Sequence, residues 1–190
     1  MSYIVPVPRA LAIISSLKGQ RTNPLTGQKN TAHGGMDIAV PLSTEVFATA
    51  SGVVRASAFE TAGGNFIIID HNDGKASAYL HLSERLVVAG QRVVAGQLIA
   101  LSGNTGSSTT GAHLHFEVRQ PARPSDIRLD ALDFLPGNFV LTKNLADQIG
   151  VKTVAGAAGI GLVGLLVLGG AAYGGYRYYK RRRPNPRRRR

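Results

Sequence analysis

A short stretch of strictly alternating side chains constrains the fold of this chain most. Between Gly111 and Val118, two histidines and a glutamate alternate with apolar residues. Successive side chains of a β-strand point to opposite faces, so His113, His115 and Glu117 share one face while the apolar residues between them share the other. At a rise of about 3.3 Å per residue, the two imidazoles lie about 7 Å apart. The pattern predicts a strand with one face in an apolar core and ionisable groups on the other.

A second group of polar residues lies upstream, in the stretch His33-Gly34-Gly35-Met36-Asp37. It offers an imidazole and a carboxylate, and its two glycines let the backbone pass close to an ion. One His, one Asp and a second His leave open the fourth position that a catalytic zinc site keeps for water. Two histidines held on one strand can serve one metal, or one can bind metal while the other handles a proton. The alternative is that chance placed two histidines on one strand.

The chain before residue 140 has the pattern of short strands separated by turns. Glycine is abundant at 23 residues, and no long stretch in this region has the 3.6-residue period of a helix. Strands are predicted at Glu45–Ala48, Gly52–Ala58, Asn65–Asp70, Ala76–His81, Leu86–Val88, Leu98–Ser102 and His113–Val118. The apolar run Ala10–Ser16 is too short to span a membrane and is interpreted as part of the fold rather than as a signal peptide. The expected fold class is mainly β, as an antiparallel sheet or sandwich.

The C-terminal part of the chain differs in kind from the rest. Residues 153–173 contain no charged side chain and, as a helix, are long enough to cross a hydrocarbon core of about 30 Å. We expect one C-terminal transmembrane helix here; the alternative is a buried core helix.

Nine Lys or Arg residues follow between Arg177 and Arg190, which leaves only +2 of the formal net charge of +11 for the remainder of the chain. The basic tail is expected to set membrane topology and contact anionic lipid, or alternatively to bind nucleic acid as well.

Several motifs, in this order, resemble those of the lysostaphin-type zinc metallopeptidases, which cut peptide cross-links of bacterial peptidoglycan. The resemblance covers about Ser16 to Arg119. The matching stretches are His33–Asp37 (H-x-G-x-D), Ala39–Pro41 (A-x-P), Gly64–His71 (G-N-x-x-x-I-D-H), Tyr79–Leu82 (Y-x-H-L), Val87–Ile99 (V-x-x-G-Q-x-V-x-x-G-Q-x-I), Ser102–Gly106 (S-G-x-T-G) and His113–Glu117 (H-L-H-F-E). Ser43 stands where the family usually has glycine, and nothing expected at the metal is missing.

The resemblance implies an antiparallel β fold with a catalytic groove, and Zn²⁺ as the cofactor. It implies that His33, Asp37 and His115 are the zinc ligands. His81 and His113 resemble the two histidines that flank the metal-bound water without binding the metal, and the sequence leaves open which of them is the base.

Three further residues have expected places around this site. Arg21, which with Pro24 matches the family's R-x-x-P, is expected to line the substrate groove. Glu117 is expected to support the site rather than act as the base, because it lies a further pleat along the strand. The fifth histidine, His71, precedes a hairpin turn and is interpreted as structural.

The predicted organisation is a zinc endopeptidase domain in residues 1–140, a connector in 141–152, a transmembrane helix in 153–173 and a basic tail in 174–190. The expected function is zinc-dependent hydrolysis of peptidoglycan cross-links by a single-pass membrane protein. The alternative is a non-catalytic envelope or structural membrane protein whose cleft only binds peptide.

This layout also suggests a setting. An endopeptidase with a C-terminal span and an arginine tail suits the internal membrane of a bacteriophage virion, where it would act as a lysin in host entry and the tail would face packaged DNA. The alternative is a bacterial inner membrane, with the catalytic domain outside and the tail in the cytoplasm.

Overall fold

A computed structural model describes residues 2–122 and 125–136 and the backbone of residues 140–141. The chain divides into two units, residues 1–136 and 137–190. The strands of the first unit are β1 (Ile13–Ser16), β2 (Gly19–Arg21), β3 (Thr31–His33), β4 (Met36–Ala39), β5 (Glu45–Phe47), β6 (Gly52–Glu60), β7 (Gly64–His71), β8 (Ala76–Leu82), β9 (Glu84–Arg85), β10 (Arg92–Val93), β11 (Leu98–Leu101), β12 (Leu114–Gln120) and β13 (Ile127–Leu129). Single-turn 3-10 helices span Arg9–Leu11 and Ala131–Asp133. The described part of the second unit is strand β14 (Val140–Leu141).

The first unit is built on one large sheet with the strand order β10-β6-β7-β8-β12-β4-β1, to which β13 adds by pairing with β12. A smaller sheet has the order β5-β11-β9, and β2 pairs with β3. All of these pairings are antiparallel. The expectation of a mainly β, antiparallel fold is confirmed for the residues that the structure describes.

One predicted strand, Leu86–Val88, is wrong. In the structure β9 ends at Arg85 and β10 begins at Arg92; the Leu86 N–H still donates to the Ile99 carbonyl of β11 at 2.8 Å, and a tight turn follows at residues 88–91. The Gln91 N–H donates to the Val88 carbonyl at 3.1 Å, and the Val88 N–H donates to the Gln91 side chain at 3.2 Å. These local bonds close the turn at residues 88–91, so strand pairing does not continue beyond Leu86.

The core lies under the apolar face of the large sheet. Leu114, Phe116 and Val118 of β12 are each 0 % exposed, as the alternation in the sequence predicts. Tyr79 of the neighbouring strand β8 packs against Phe116, with ring centroids 5.4 Å apart. Burial of a large apolar side chain contributes about 1.5–3 kcal/mol, so this face fixes the register of β12. Because the register is fixed, the polar side chains on the opposite face of β12 lie beside those of β4.

The C-terminal predictions fall on residues that the structure does not describe. The transmembrane helix at 153–173 and the basic tail at 174–190 lie outside the described residues, as does the connector apart from the backbone of Leu141. Across 2–122, 125–136 and 140–141, the structure contains no helix with the length and apolar character needed to cross a membrane.

A buried chain of hydrogen bonds surrounds His71 at the end of β7. Its Nδ1 donates to the Ser51 carbonyl at 3.0 Å, and its Nε2 lies 2.9 Å from Ser77 Oγ. Ser77 Oγ lies 2.9 Å from the Tyr79 hydroxyl, which accepts from the Thr49 N–H at 2.8 Å. Burial lowers the pKa of His71 below its ordinary value, against the opposing effect of the Ser51 carbonyl. The interpretation of His71 as structural agrees with this arrangement.

The His71 network predicts that acid weakens the fold. Because the pKa of His71 is lower in the folded chain than in the unfolded one, the unfolded chain binds more protons below about pH 6.5. The contribution of His71 to the free energy of unfolding is therefore full above about pH 6.5 and is lost as the pH falls toward the folded pKa. Denaturant titrations across this range should show a weaker pH dependence for His71→Gln, which cannot titrate. Equal slopes in the two proteins would contradict this prediction.

Candidate functional site

Three strands bring His33, Asp37 and His115 together. His33 is the last residue of β3, Asp37 lies in β4, and His115 lies in β12. The antiparallel register of β4 and β12 places His115 directly opposite Asp37, so both side chains project from the same face of the sheet. Residues 34 and 35 form the short connection that returns the chain from β3 into β4. All three side chains are buried.

The ligand atoms of these three residues converge on one point. His33 Nε2 lies 3.0 Å from Asp37 Oδ1 and 3.1 Å from His115 Nδ1, and the latter two atoms lie 2.8 Å apart. Ligands at about 2.1 Å from a tetrahedral zinc lie about 3.4 Å from one another. An outward shift of a few tenths of an ångström would therefore accommodate the ion. These three residues could hold a metal.

Each of the two histidines has a hydrogen-bond partner on its other ring nitrogen. His33 Nδ1 donates to the Leu17 carbonyl at 2.9 Å, and His115 Nε2 donates to Glu117 Oε1 at 3.1 Å. A partner on the far nitrogen fixes the tautomer and leaves the near nitrogen as an acceptor, which is the usual arrangement of histidine metal ligands. Three acceptors this close repel one another unless a proton or a metal ion lies among them.

The electrostatics of the cluster favour a cation. Burial by itself raises the pKa of Asp37, but hydrogen bonds with His115 and His33 outweigh it and hold that pKa well below its usual range. Burial by itself lowers the pKa of His115, yet its hydrogen bonds to Asp37 and Glu117 raise it overall. An ionised carboxylate and an imidazole with raised proton affinity mark a place where positive charge is stabilised.

Arg21, at the end of β2, lies against the second oxygen of Asp37. Its Nη1 donates to Asp37 Oδ2 at 2.8 Å and to Ser16 Oγ at 2.6 Å. With Oδ2 held by the guanidinium, Oδ1 is the oxygen that faces the two histidines. Arg21 also lines the groove, and its side chain is 33 % exposed.

His81 reaches the same site through a distortion of β8. Between the pairs Asn65↔Leu82 and Ile67↔Tyr79 the register shifts, and His81 has a φ of 62°. Such a bulge turns a side chain out of the regular alternation, and a positive φ is uncommon for a residue other than glycine. His81 Nδ1 donates to the Thr105 carbonyl at 2.9 Å, which leaves Nε2 as an acceptor. Burial lowers the pKa of His81 to about 4, so its imidazole is neutral at pH 7.

His113 stands beside His81, just before β12. The two ring centroids are 4.8 Å apart, and His113 Nε2 lies 3.7 Å from Asp37 Oδ1. His113 Nδ1 donates to the Gly111 carbonyl at 2.8 Å, so Nε2 is again the acceptor. The structure therefore brings all five of the histidine and aspartate residues singled out in the sequence to one place, three in a close cluster and two beside it.

These residues line an open groove of about 940 Å³. Besides the cluster itself, its lining includes residues from the stretches 15–25, 60–63 and 108–113, among them Lys18 and Arg21. An extended peptide can lie along such a groove with one of its carbonyl groups over the cluster.

Sequence patterns missed several groups that hold the site in place. The carbonyls of Leu17, Thr105 and Gly111 fix three of the histidines, and any residue type can supply a backbone carbonyl. Arg128 contacts the supporting residue Glu117 from β13, in a segment that carries no motif. The only signal in the sequence for the role of Arg128 was that a buried carboxylate, here Glu117, needs a positively charged partner.

Comparison with known proteins identifies a family and several relatives. The model of peptidase family M23 matches residues 31–127. The peptidoglycan DD-endopeptidase ShyA of Vibrio cholerae is 40% identical over 119 residues, which are 63% of this chain and 27% of ShyA. The peptidoglycan DD-endopeptidase ShyB of the same organism is 42% identical over 122 residues, 64% of this chain and 28% of ShyB. The chain thus spans about a quarter of the length of these curated relatives.

Solved structures show the same fold. A zinc-containing peptidase from Vibrio cholerae superimposes with a TM-score of 0.56 at 34% identity, covering 70% of this chain and 40% of the other. The catalytic domain of the antimicrobial peptidase lysostaphin from Staphylococcus simulans gives a TM-score of 0.54 at 34% identity, covering 61% of this chain and 87% of that domain.

Proposed function

Because the chain belongs to peptidase family M23, a family of zinc metallopeptidases, we propose that it is a zinc-dependent DD-endopeptidase that hydrolyses peptide cross-links of bacterial peptidoglycan. The observation that carries this proposal is the convergence of ligand atoms from His33, Asp37 and His115 to within 3.1 Å of one another on the floor of an open groove. The peptidoglycan DD-endopeptidases among its relatives support the substrate class.

The residues around the cluster are suited to peptide hydrolysis. His33 Nε2, Asp37 Oδ1 and His115 Nδ1 would hold zinc, which in such a site acts as a Lewis acid that activates water and polarises a peptide carbonyl. His81 and His113 each have Nδ1 bonded to a backbone carbonyl, which leaves Nε2 as the nitrogen available to accept a proton beside the cluster. Either can take the proton from the attacking water and return it to the amine that leaves, so that the peptide bond is replaced by a carboxyl and an amino group.

Digestion of purified sacculi tests this function. The zinc-loaded protein should convert cross-linked muropeptide dimers to monomers, and the product masses identify the bond that is cut. A chelator should stop the reaction, and added zinc should restore it. A protein that holds zinc and binds the peptides but leaves the dimers intact would contradict the proposal and favour the non-catalytic, peptide-binding alternative.

We also propose that Arg21 contacts the substrate, because its guanidinium lines the groove while one nitrogen holds Asp37. Arg21→Gln is expected to weaken zinc affinity by about tenfold, the usual effect of losing a partner of a metal ligand. At saturating zinc, the variant should still show a raised KM for a cross-linked muropeptide. Zinc titration separates the first effect from the second, and an unchanged KM at saturating zinc would contradict the substrate contact.

We propose that residues 153–173 anchor the enzyme as a single-pass membrane protein. The support is 21 residues without charge, bracketed by Lys152 and Arg177. The full chain should stay in the membrane fraction under alkaline carbonate extraction, whereas a chain ending at residue 152 should be released. Release of the full chain would contradict the anchor.

The proposed setting is the internal membrane of a virion, with the enzyme acting in host entry; the alternative is a bacterial inner membrane. Mass analysis of purified particles for this chain separates the two, and its absence from them would defeat the viral placement.

The tail at 174–190 is proposed to contact anionic lipid, and binding to nucleic acid is the second candidate for it. Co-sedimentation with anionic vesicles, compared with retention on duplex DNA at the same salt concentration, distinguishes these partners.

A further inference from the structure

Glu117 is a buried carboxylate with three charged or polar partners. The residue is 2 % exposed. Its Oε1 accepts from His115 Nε2 at 3.1 Å and from Arg128 Nε at 2.9 Å, and its Oε2 accepts from Arg119 Nε at 2.5 Å. A carboxylate is costly to bury unless its oxygens are paired in this way. The pairing therefore determines where the carboxylate lies, and with it the ring of His115.

Arg128 reaches Glu117 from β13, the strand that pairs with the end of β12. It lies opposite Arg119 of β12, and more than half of its side chain, 51 %, is exposed. The two arginines hold different oxygens: Arg119 binds Oε2, whereas Arg128 binds Oε1, the oxygen to which His115 donates. Loss of Arg128 would thus free the oxygen that orients the metal ligand.

The path of the Arg128 side chain depends on a glycine. A Cβ at position 34 would lie 2.6 Å from Arg128 Cδ, 2.7 Å from Arg128 Nε and 2.9 Å from Glu117 Oε1. Those distances are too short for contact; the exposed arginine side chain can move away, whereas the buried Glu117 has less room to shift. Gly34, between His33 and the rest of the H-x-G-x-D motif, leaves the space through which Arg128 reaches Glu117.

We propose that Arg128 is a positioning residue of the metal centre: it fixes Glu117 Oε1 so that His115 Nε2 stays bound and Nδ1 stays directed at the ion. From the proposed function, the inference takes only the premise that the site binds zinc. It assigns a role to a residue that lies beyond the region matched by the family model. It also gives Gly34 a role, because the glycine leaves room for both the Arg128 side chain and Glu117 Oε1.

Metal binding tests this proposal without reference to catalysis. Arg128→Ala is expected to weaken zinc affinity, measured by chelator competition, by about tenfold to a hundredfold, and to change the visible spectrum of Co²⁺ bound in place of zinc. Arg128→Lys should restore part of the affinity. Gly34→Ala should also weaken zinc affinity, because the added Cβ displaces Arg128 and crowds Glu117 Oε1, so its loss should be at least as large as that of Arg128→Ala. Arg92→Ala, at an exposed position on β10, is the matched control and should bind as the unaltered chain does.

Two results would overturn the proposal. The first is an unchanged zinc affinity and Co²⁺ spectrum in folded Arg128→Ala. The second is an unchanged zinc affinity in folded Gly34→Ala, since a Cβ at position 34 should displace Arg128. If Arg128→Ala does not fold, as judged by circular dichroism, unchanged affinity in both Arg128→Lys and Gly34→Ala is the overturning result. A chain that binds zinc but leaves muropeptides intact would refute the proposed function and leave this inference standing.

Discussion

Replacing His115 by alanine is expected to remove bound zinc and peptidoglycan hydrolysis together. The variant leaves only His33 Nε2 and Asp37 Oδ1 of the three converging atoms, and it also leaves the buried Glu117 carboxylate without its imidazole partner. A metal that acts as a Lewis acid supplies several kcal/mol of transition-state stabilisation, so its loss should lower kcat/KM by about a thousandfold or more. Elemental analysis for zinc per chain and the release of monomeric muropeptides measure the two effects.

The neighbouring histidine supplies a matched control for this experiment. His113 lies two residues away in the chain, and its Nε2 is 3.7 Å from Asp37 Oδ1, outside the cluster of close contacts. His113→Asn should therefore keep its zinc while losing activity. Retained hydrolysis by His115→Ala, or loss of zinc from both variants alike, would contradict the assignment of His115 as a ligand and His113 as a proton carrier.

The sequence could predict which face of β12 carries the site residues, because alternation along a strand is a periodic and local pattern. Alternation in β12 separates the apolar core residues from His115 and Glu117, and the structure has that separation. The same alternation cannot say which strand lies next to β12. The pairing of His115 with Asp37 depends on a register between segments 78 residues apart in sequence, and the order of motifs in a known family supplied it.

What the sequence could not predict depends on departures from regular structure. His81 lies on a bulge and has a positive φ, so counting alternate residues along β8 would not place its side chain in the groove. The segment Leu86–Val88 has an apolar composition that suits a strand, but contacts between Val88 and Gln91 begin a turn at its last residue. Arg128 is one of many arginines, and only the approach of β13 to β12 makes it a partner of Glu117.

Removing either histidine that flanks the cluster is expected to lower kcat by about a hundredfold to ten-thousandfold while zinc stays bound. The matched variants are His81→Asn and His113→Asn, because asparagine tolerates the left-handed backbone at position 81 better than most residues. Neither Nε2 belongs to the three converging atoms, so zinc per chain should equal that of the unaltered protein. Loss of zinc from either variant would instead make that histidine a metal ligand.

The two variants should differ in the size and the pH dependence of the loss. Burial lowers the pKa of His81 to about 4, and a base works best when its pKa is near the working pH, so His81 is poorly matched to the role of the main base. We therefore expect His113 to carry most of the proton transfer. His113→Asn should then show the larger fall in kcat. The residual activity of His113→Asn should not depend on the protonation of His81 above about pH 5, because His81 stays unprotonated there. A larger fall in kcat for His81→Asn than for His113→Asn would reverse the assignment, since it would mean that His81 carries the proton despite its burial.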